Sequence, residues 1–109
     1  MAGVKYLAGG EPETSFAVGL ALVKFTASWC GPCRAVHPAY VQLAGACPVP
    51  CWEVDVDSEE GAVHCAALRV TSLPTFLLLQ DGLEVPGGRV VGAKIEAVQR
   101  MVDELLEVE

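Results

Sequence analysis

Apolar residues in this chain fall into two kinds of pattern, continuous runs and alternating positions. Residues 20–27 and 75–80 are almost continuously apolar and are bounded by turn residues, which is typical of strands buried on both faces of a sheet. Residues 51–56 alternate apolar with acidic side chains, and residues 4–7 form a short β-prone segment. These patterns predict four strands, of which 20–27 and 51–56 are central.

Apolar residues three and four positions apart predict helices between and after these strands. The spacing covers residues 34–46, where Pro38 should kink the axis, and residues 94–107. Ser58 is placed to cap a shorter helix that ends near residue 68. The two longer patterns predict amphipathic helices, each of which covers a face of the sheet.

Capping and turn residues predict the remaining secondary-structure elements. A brief capped helix is predicted over residues 14–19, and Asp81-Gly82 is typical of a turn into a partner strand near residues 89–91. Proline and glycine at residues 86–88 weaken the start of that strand, which predicts that it lies at an edge. The order β-α-β-α-β-α-β-β-α predicts one α/β domain over residues 1–109, a three-layer α/β/α sandwich around a mixed sheet.

Composition narrows the possible partners. The chain has 109 residues, a formal net charge of −7 and only seven basic residues, which are scattered along it. Nucleic acids and anionic membranes are bound by clustered Lys and Arg, so neither is expected as a partner. The longest apolar run, residues 16–23, is far shorter than the roughly 20 residues that span a bilayer.

The cysteine count points to a reducing compartment. Five cysteines are an odd number, which argues against the fully paired framework of a small secreted domain. Residues 1–15 lack a long apolar core behind basic residues and include two glutamates, so no targeting segment is expected there. These observations favour a cytoplasmic protein.

The strongest chemical signal is the Cys-x-x-Cys of Cys30 and Cys33, directly after an apolar run and before a helical pattern. This spacing places Cys30 at a helix N-terminus, where unpaired N–H groups and the helix dipole stabilise a thiolate. We therefore expect Cys30 to be the nucleophile of a pair that cycles between dithiol and disulfide. Half of a zinc site is the alternative, because Cys47, Cys51 and the pair His64-Cys65 supply further ligands.

Four stretches in order resemble the thioredoxin family. They are Trp29-Cys30-Gly31-Pro32-Cys33, Glu53-Val54-Asp55-Val56-Asp57, Thr71-Ser72-Leu73-Pro74-Thr75-Phe76 and Val91-Gly92-Ala93. The resemblance covers essentially the whole chain and implies a thioredoxin-like fold and a protein disulfide reductase that needs no bound cofactor or metal. It also implies protein disulfides as substrates, thioredoxin reductase as electron donor, a monomer, and a role in electron transport and cell redox homeostasis.

The resemblance also implies how substrate is bound. It makes Leu73-Pro74 a cis peptide beside Cys30, whereas a trans proline is the ordinary expectation for an X-Pro bond. The Leu73 backbone is then available to pair with an extended substrate. The residues expected to form an apolar rim around the disulfide are Trp29, Gly31, Pro32, Leu73, Gly92 and Ala93. The alternative for Trp29 is a place in the core.

Lys24 departs from the family pattern. Thioredoxins usually carry a buried Asp at this point of the strand, where it assists proton removal from the second cysteine. A lysine here is costly to bury unless it is paired or neutral, and Glu53 on the neighbouring predicted strand is its candidate partner. Alternatively, Lys24 extends to solvent and pairs with nothing.

The remaining cysteines and histidines have a plainer interpretation. Cys47, Cys51 and Cys65 are expected to be inert thiols packed as small hydrophobes, although a regulatory Cys47–Cys51 disulfide is an alternative. His37 and His64 are expected at exposed helix positions without partners. Two other functions stay open: a disulfide isomerase or oxidase, whose relatives usually carry His between the cysteines, and a binding module without redox activity.

Overall fold

The computed structural model describes residues 3–6 and 16–106, which form a five-stranded sheet with helices on both faces. The strands are β1 (Val4–Tyr6), β2 (Leu20–Thr26), β3 (Cys51–Asp55), β4 (Thr75–Gln80) and β5 (Leu83–Val91). The helices are α1 (Gly31–Ala46), α2 (Glu59–Ala67) and α3 (Ile95–Leu106). This architecture is the predicted three-layer α/β/α sandwich.

The sheet is mixed, and β2 lies at its centre. The strand order is β1-β3-β2-β4-β5, with β1 and β2 parallel to β3, and with β4 antiparallel to both β2 and β5. The predicted edge position of the last strand is confirmed, although β5 begins at Leu83 instead of near residue 89. The parallel register of β2 and β3 sets Lys24 directly opposite Glu53.

Each face of β2 and β4 is covered by a different layer of helices. On one face, Leu22 and Leu78 belong to a core cluster with residues of α1 and α3 such as Tyr40 and Val98. On the other face, a second cluster built around Phe25 packs against residues of α2 and the loop after it. Because both faces are covered, nearly every side chain of β2 is buried, including the charged one.

The predicted brief helix over residues 14–19 is wrong for the part that the structure describes. Residues 16–19 form turns, and residues 14 and 15 lie outside the described part. Gly19 donates its N–H to Asp81 Oδ1 at 2.7 Å and accepts from the Asp81 N–H at 2.9 Å. These two hydrogen bonds attach the segment to the turn between β4 and β5. They take the place of the local hydrogen bonds that a helix would form.

The helices follow the predicted patterns closely. α1 begins three residues before the predicted start and runs through Pro38, and the kink there stays a prediction. Ser58 caps α2 by accepting the Gly61 N–H at 3.0 Å, as predicted. Among the helices of the described residues, none has the length and apolar character needed to cross a bilayer.

Candidate active site

Cys30 and Cys33 form a disulfide at the start of α1, with their Cα atoms 5.3 Å apart. Cys30 is the N-cap of the helix, and its sulfur accepts the Cys33 N–H at 3.2 Å. When the disulfide is reduced, this N–H group and the positive end of the helix dipole stabilise a thiolate on Cys30. Cys33 lies one turn inside the helix and is more deeply buried.

An open groove of about 480 Å³ runs beside Cys30. Its lining is mostly apolar and consists of Trp29, Cys30, Gly31, Pro32, Val56, Cys65, Val70, Thr71, Ser72 and Leu73. The Leu73-Pro74 peptide is cis, so the trans alternative is wrong. Leu73 packs against the two cysteines, which places its backbone at the edge of the groove. The groove therefore combines a cysteine sulfur of the disulfide, an apolar wall and the partly exposed segment at Leu73 that leads into β4.

Gly92 connects to this groove through Pro74. Its N–H donates to the Pro74 carbonyl at 2.8 Å, and its φ of +103° belongs to a backbone region that side chains strongly disfavour. Ala93 follows as an exposed residue. Gly92 thus supports the segment that carries Pro74, whereas Trp29, Gly31, Pro32 and Leu73 line the groove itself.

Trp29 is exposed on the rim of the groove. The residue is 68% exposed, so the alternative that places it in the core is wrong. Its indole Nε1 donates to Asp57 Oδ2 at 2.8 Å, which holds the ring in one orientation. Sequence reasoning missed Asp57. Asp57 could have been identified from the sequence, because the acidic residues at the end of β3 lie at the same sheet edge as the end of the parallel strand β2, next to Trp29.

A second recess, about 450 Å³ in volume, lies on the Cys33 side of the disulfide; because most of the residues that line it are polar or charged, it is called the polar recess here. Lys24 is 1% exposed at its base, and its Nζ donates to the Cys33 carbonyl at 3.0 Å and lies 3.9 Å from Glu53 Oε1. Burial lowers the pKa of Lys24, and the Glu53 carboxylate partly opposes that shift. The ammonium does not extend to solvent, so that alternative is wrong, and Lys24 is coupled to both Glu53 and the active-site helix.

His37 joins this cluster, contrary to the expectation that it has no partner. Its Nδ1 lies 3.1 Å from Glu53 Oε1, and its side chain is about one-third exposed to solvent. The position is one turn after Cys33 on α1, so both side chains face the same recess. His64 is also not a free surface residue, because its ring meets Phe16 edge-on with centroids 4.7 Å apart.

The zinc alternative does not fit the positions of the cysteines. Cys47 and Cys51 lie beyond the far end of α1, whose 16 residues separate them from Cys30 by about 24 Å. In residues 3–6 and 16–106, no three His, Cys, Asp or Glu side chains are grouped as a metal site requires. Cys47, Cys51 and Cys65 are free thiols.

Comparisons with known proteins agree with this geometry. The family model described as Thioredoxin matches residues 13–104. Thioredoxin H-type 1 of Nicotiana tabacum is 45% identical over 84 residues, which are 76% of this chain and 64% of that protein. The thioredoxin of Chlamydia pneumoniae is 39% identical over 92 residues, which are 84% of this chain and 86% of that protein. The X-ray structure of Fasciola hepatica thioredoxin has a TM-score of 0.75 and 36% identity, and the match covers 92% of this chain and 97% of that one.

The length of the match differs between relatives. The chain spans slightly less than two thirds of the tobacco protein and most of the bacterial one. The match to the family model, over residues 13–104, contains the residues that form the groove and the disulfide.

Proposed function

This chain belongs to the thioredoxin family, and from that premise we propose that it reduces disulfide bonds in other proteins through Cys30 and Cys33. The reduced Cys30 thiolate attacks one sulfur of a substrate disulfide, which forms a mixed disulfide and releases the other substrate sulfur as a thiol. Cys33 then attacks Cys30, which releases the second substrate thiol and leaves the Cys30–Cys33 disulfide. Two electrons pass from the pair to the substrate.

The observation that carries this proposal is the position of the Cys30 sulfur. It sits at the helix N-cap, 3.2 Å from the Cys33 N–H, and it opens onto the apolar groove that Leu73 and Trp29 border. The first feature stabilises the attacking thiolate. The second accepts an extended segment of an unfolded or flexible substrate, with main-chain bonds at Leu73 that tolerate many sequences.

The polar recess supplies the environment of Cys33. Lys24 bonds the Cys33 carbonyl, and Glu53 and His37 lie next to it. We propose that Lys24 replaces the family's buried Asp as the charged group beneath the disulfide. A positive charge there favours the thiolate over the thiol, whereas an Asp serves as a proton acceptor.

Catalysed reduction of insulin tests the proposed function. With dithiothreitol as the reductant, the chain should accelerate insulin reduction well above the rate of dithiothreitol alone, because each turnover regenerates the dithiol. The matched control is Cys65→Ser, which removes a thiol outside the pair and should retain the acceleration. A binding module would bind substrates yet leave the rate at that of dithiothreitol. The isomerase alternative needs a separate assay without reductant, the reshuffling of scrambled disulfides, which an isomerase would accelerate.

The electron donor and the cellular compartment of this chain are further parts of the proposed function. We propose that a thioredoxin reductase returns the Cys30–Cys33 disulfide to the dithiol, and that the chain acts as a monomer in the cytoplasm. The odd number of cysteines and the three free thiols among the described residues support a reducing compartment. The dithiol chemistry itself requires no cofactor on this chain.

A further inference from the structure

A second pair of cysteines lies at the opposite end of α1 from the active-site disulfide. Cys47 is the C-cap of α1, and Cys51 is the first residue of β3. Only the loop Pro48-Val49-Pro50 separates them. Cys47 is half-buried, whereas Cys51 is 1% exposed. The two thiols therefore form a close local pair in which one member is accessible and the other is sheltered.

The loop holds the two cysteine side chains close to each other. The Cys51 thiol donates to the Val49 carbonyl oxygen at 3.6 Å, and the Cys47 and Cys51 side chains interact across the loop. The Val49 N–H donates to the Cys47 sulfur as well. The prolines on both sides of Val49 restrict the backbone of the loop and so maintain this arrangement. The short loop thus keeps two thiols in one place, which is the proximity from which a disulfide can form.

The surroundings of the two thiols shift their pKa values in opposite directions. The interaction with Cys51, assisted by the Val49 N–H, lowers the pKa of Cys47 to about 7 although burial opposes the shift. The same interaction, together with burial, raises the pKa of Cys51. Of the two thiols, the more accessible Cys47 is therefore the one that ionises more readily. The thiolate is the form that reacts with oxidants.

A small recess gives access to Cys47. It lies between the end of α1 and α3, has a volume of about 30 Å³, and is lined by apolar side chains together with Gln99 and Asp103. Gln99 Nε2 donates to Asp103 Oδ1 at 2.9 Å across this wall. The volume admits a molecule the size of water or slightly larger. Small oxidants fit this space, whereas a protein disulfide does not.

We propose that Cys47 is a second reactive thiol of this chain, which hydroperoxides oxidise, and that Cys51 resolves the product into a Cys47–Cys51 disulfide. The Cys47 thiolate attacks a peroxide oxygen, so that an S–O bond forms, the O–O bond breaks, and the alkoxide or hydroxide that leaves takes a proton from solvent. Cys51 then attacks the sulfenic acid on Cys47, its proton leaves with the hydroxyl as water, and the S–S bond forms. The two thiols lose two electrons and the hydroperoxide gains them.

Peptide mapping of the full chain tests this site. The reduced protein is freed of reductant, treated with hydrogen peroxide at pH 7, alkylated and digested with trypsin. Cleavage after Arg34 and Arg69 yields one peptide, residues 35–69, that contains Cys47, Cys51 and Cys65. Before peroxide treatment, this peptide should carry three alkyl groups. Afterwards most of it should carry one, on Cys65, with Cys47 and Cys51 joined.

Two variants separate the steps. In Cys51→Ser, oxidation should stop at a Cys47 sulfenic acid that dimedone traps, and in Cys47→Ser, Cys51 should stay reduced. Because Cys51 is buried and its replacement can disturb the fold, the peptide map of the wild type decides the question by itself. Three alkyl groups on residues 35–69 under conditions that oxidise Cys30 and Cys33, or a disulfide that involves Cys65, would overturn the proposal. Neither result would bear on the reductase activity, which uses the other end of α1.

Discussion

Replacing Cys33 with serine should change the protein from a catalyst into a covalent trap for its substrates. Cys30 remains at the helix N-cap in this variant, so the first attack on a substrate disulfide still proceeds. The mixed disulfide then persists because no second thiol is placed one turn into α1 to resolve it. Insulin reduction should fall to the rate of dithiothreitol alone, a loss of about a thousandfold or more in the catalysed step. Non-reducing electrophoresis of the reduced variant mixed with substrate in the absence of dithiothreitol should show the adduct.

Two control variants test whether trapping depends on Cys30 in particular. Cys30→Ser should lose catalysis and also fail to form an adduct, because it removes the attacking sulfur. Cys65→Ser should behave as the wild type, even though Cys65 lines the same groove. An adduct that forms in Cys30→Ser, or a Cys33→Ser protein that turns over normally, is inconsistent with the proposed division of roles.

Glu53→Gln should destabilise the fold by about 3 kcal/mol, the lower end of the range for breaking a buried ion pair. It leaves the Lys24 ammonium buried beneath the disulfide without the carboxylate that lies 3.9 Å from it in the wild type. Lys24→Met should destabilise less, because Glu53 is about one-sixth exposed and keeps His37. The double variant should recover part of the loss, with a coupling energy of about 0.5–3 kcal/mol. Urea unfolding of the four oxidised proteins measures this cycle.

The pH dependence of stability is a second test of the interaction between Lys24 and Glu53. The pKa of Lys24 is lower in the folded chain than its ordinary value of 10.5, so the folded state releases this proton first. Stability therefore rises with pH between the folded pKa and 10.5, and the penalty of the buried charge is complete below the folded pKa. The stability of the wild type relative to Lys24→Met should increase over this alkaline range. Lys94→Met, which removes an exposed lysine, is the matched control variant. Additive single variants and a flat difference would mean that Lys24 and Glu53 are not coupled.

Much of this arrangement follows from local pattern. The apolar runs predicted the buried strands because a strand covered on both faces has no position that tolerates water. Lys24 and Glu53 were each isolated charges within such runs, and parallel neighbouring strands place them opposite one another. Their pairing was therefore predictable from the sequence, as was the placement of Cys30 at the helix N-terminus.

Other features depend on contacts that no local pattern encodes. His37 meets Glu53 only after α1 packs across the sheet, and Asp57 reaches Trp29 only because β2 and β3 end at the same edge. The helix predicted near Gly19 does not form in the described residues, because Asp81, 62 positions away, provides the bonds that a helix would need. Long-range hydrogen bonds thus override local propensity at these sites.

The most direct test of the central claim is a single-turnover reaction between the fully reduced chain and an excess of a protein disulfide, with no other reductant present. The account predicts that each molecule of chain reduces one substrate disulfide, and that Cys30–Cys33 is the only disulfide that appears in it while Cys47, Cys51 and Cys65 stay alkylatable. Substrate reduction without formation of the Cys30–Cys33 disulfide, or no reduction by a chain whose five thiols are intact, would contradict the account.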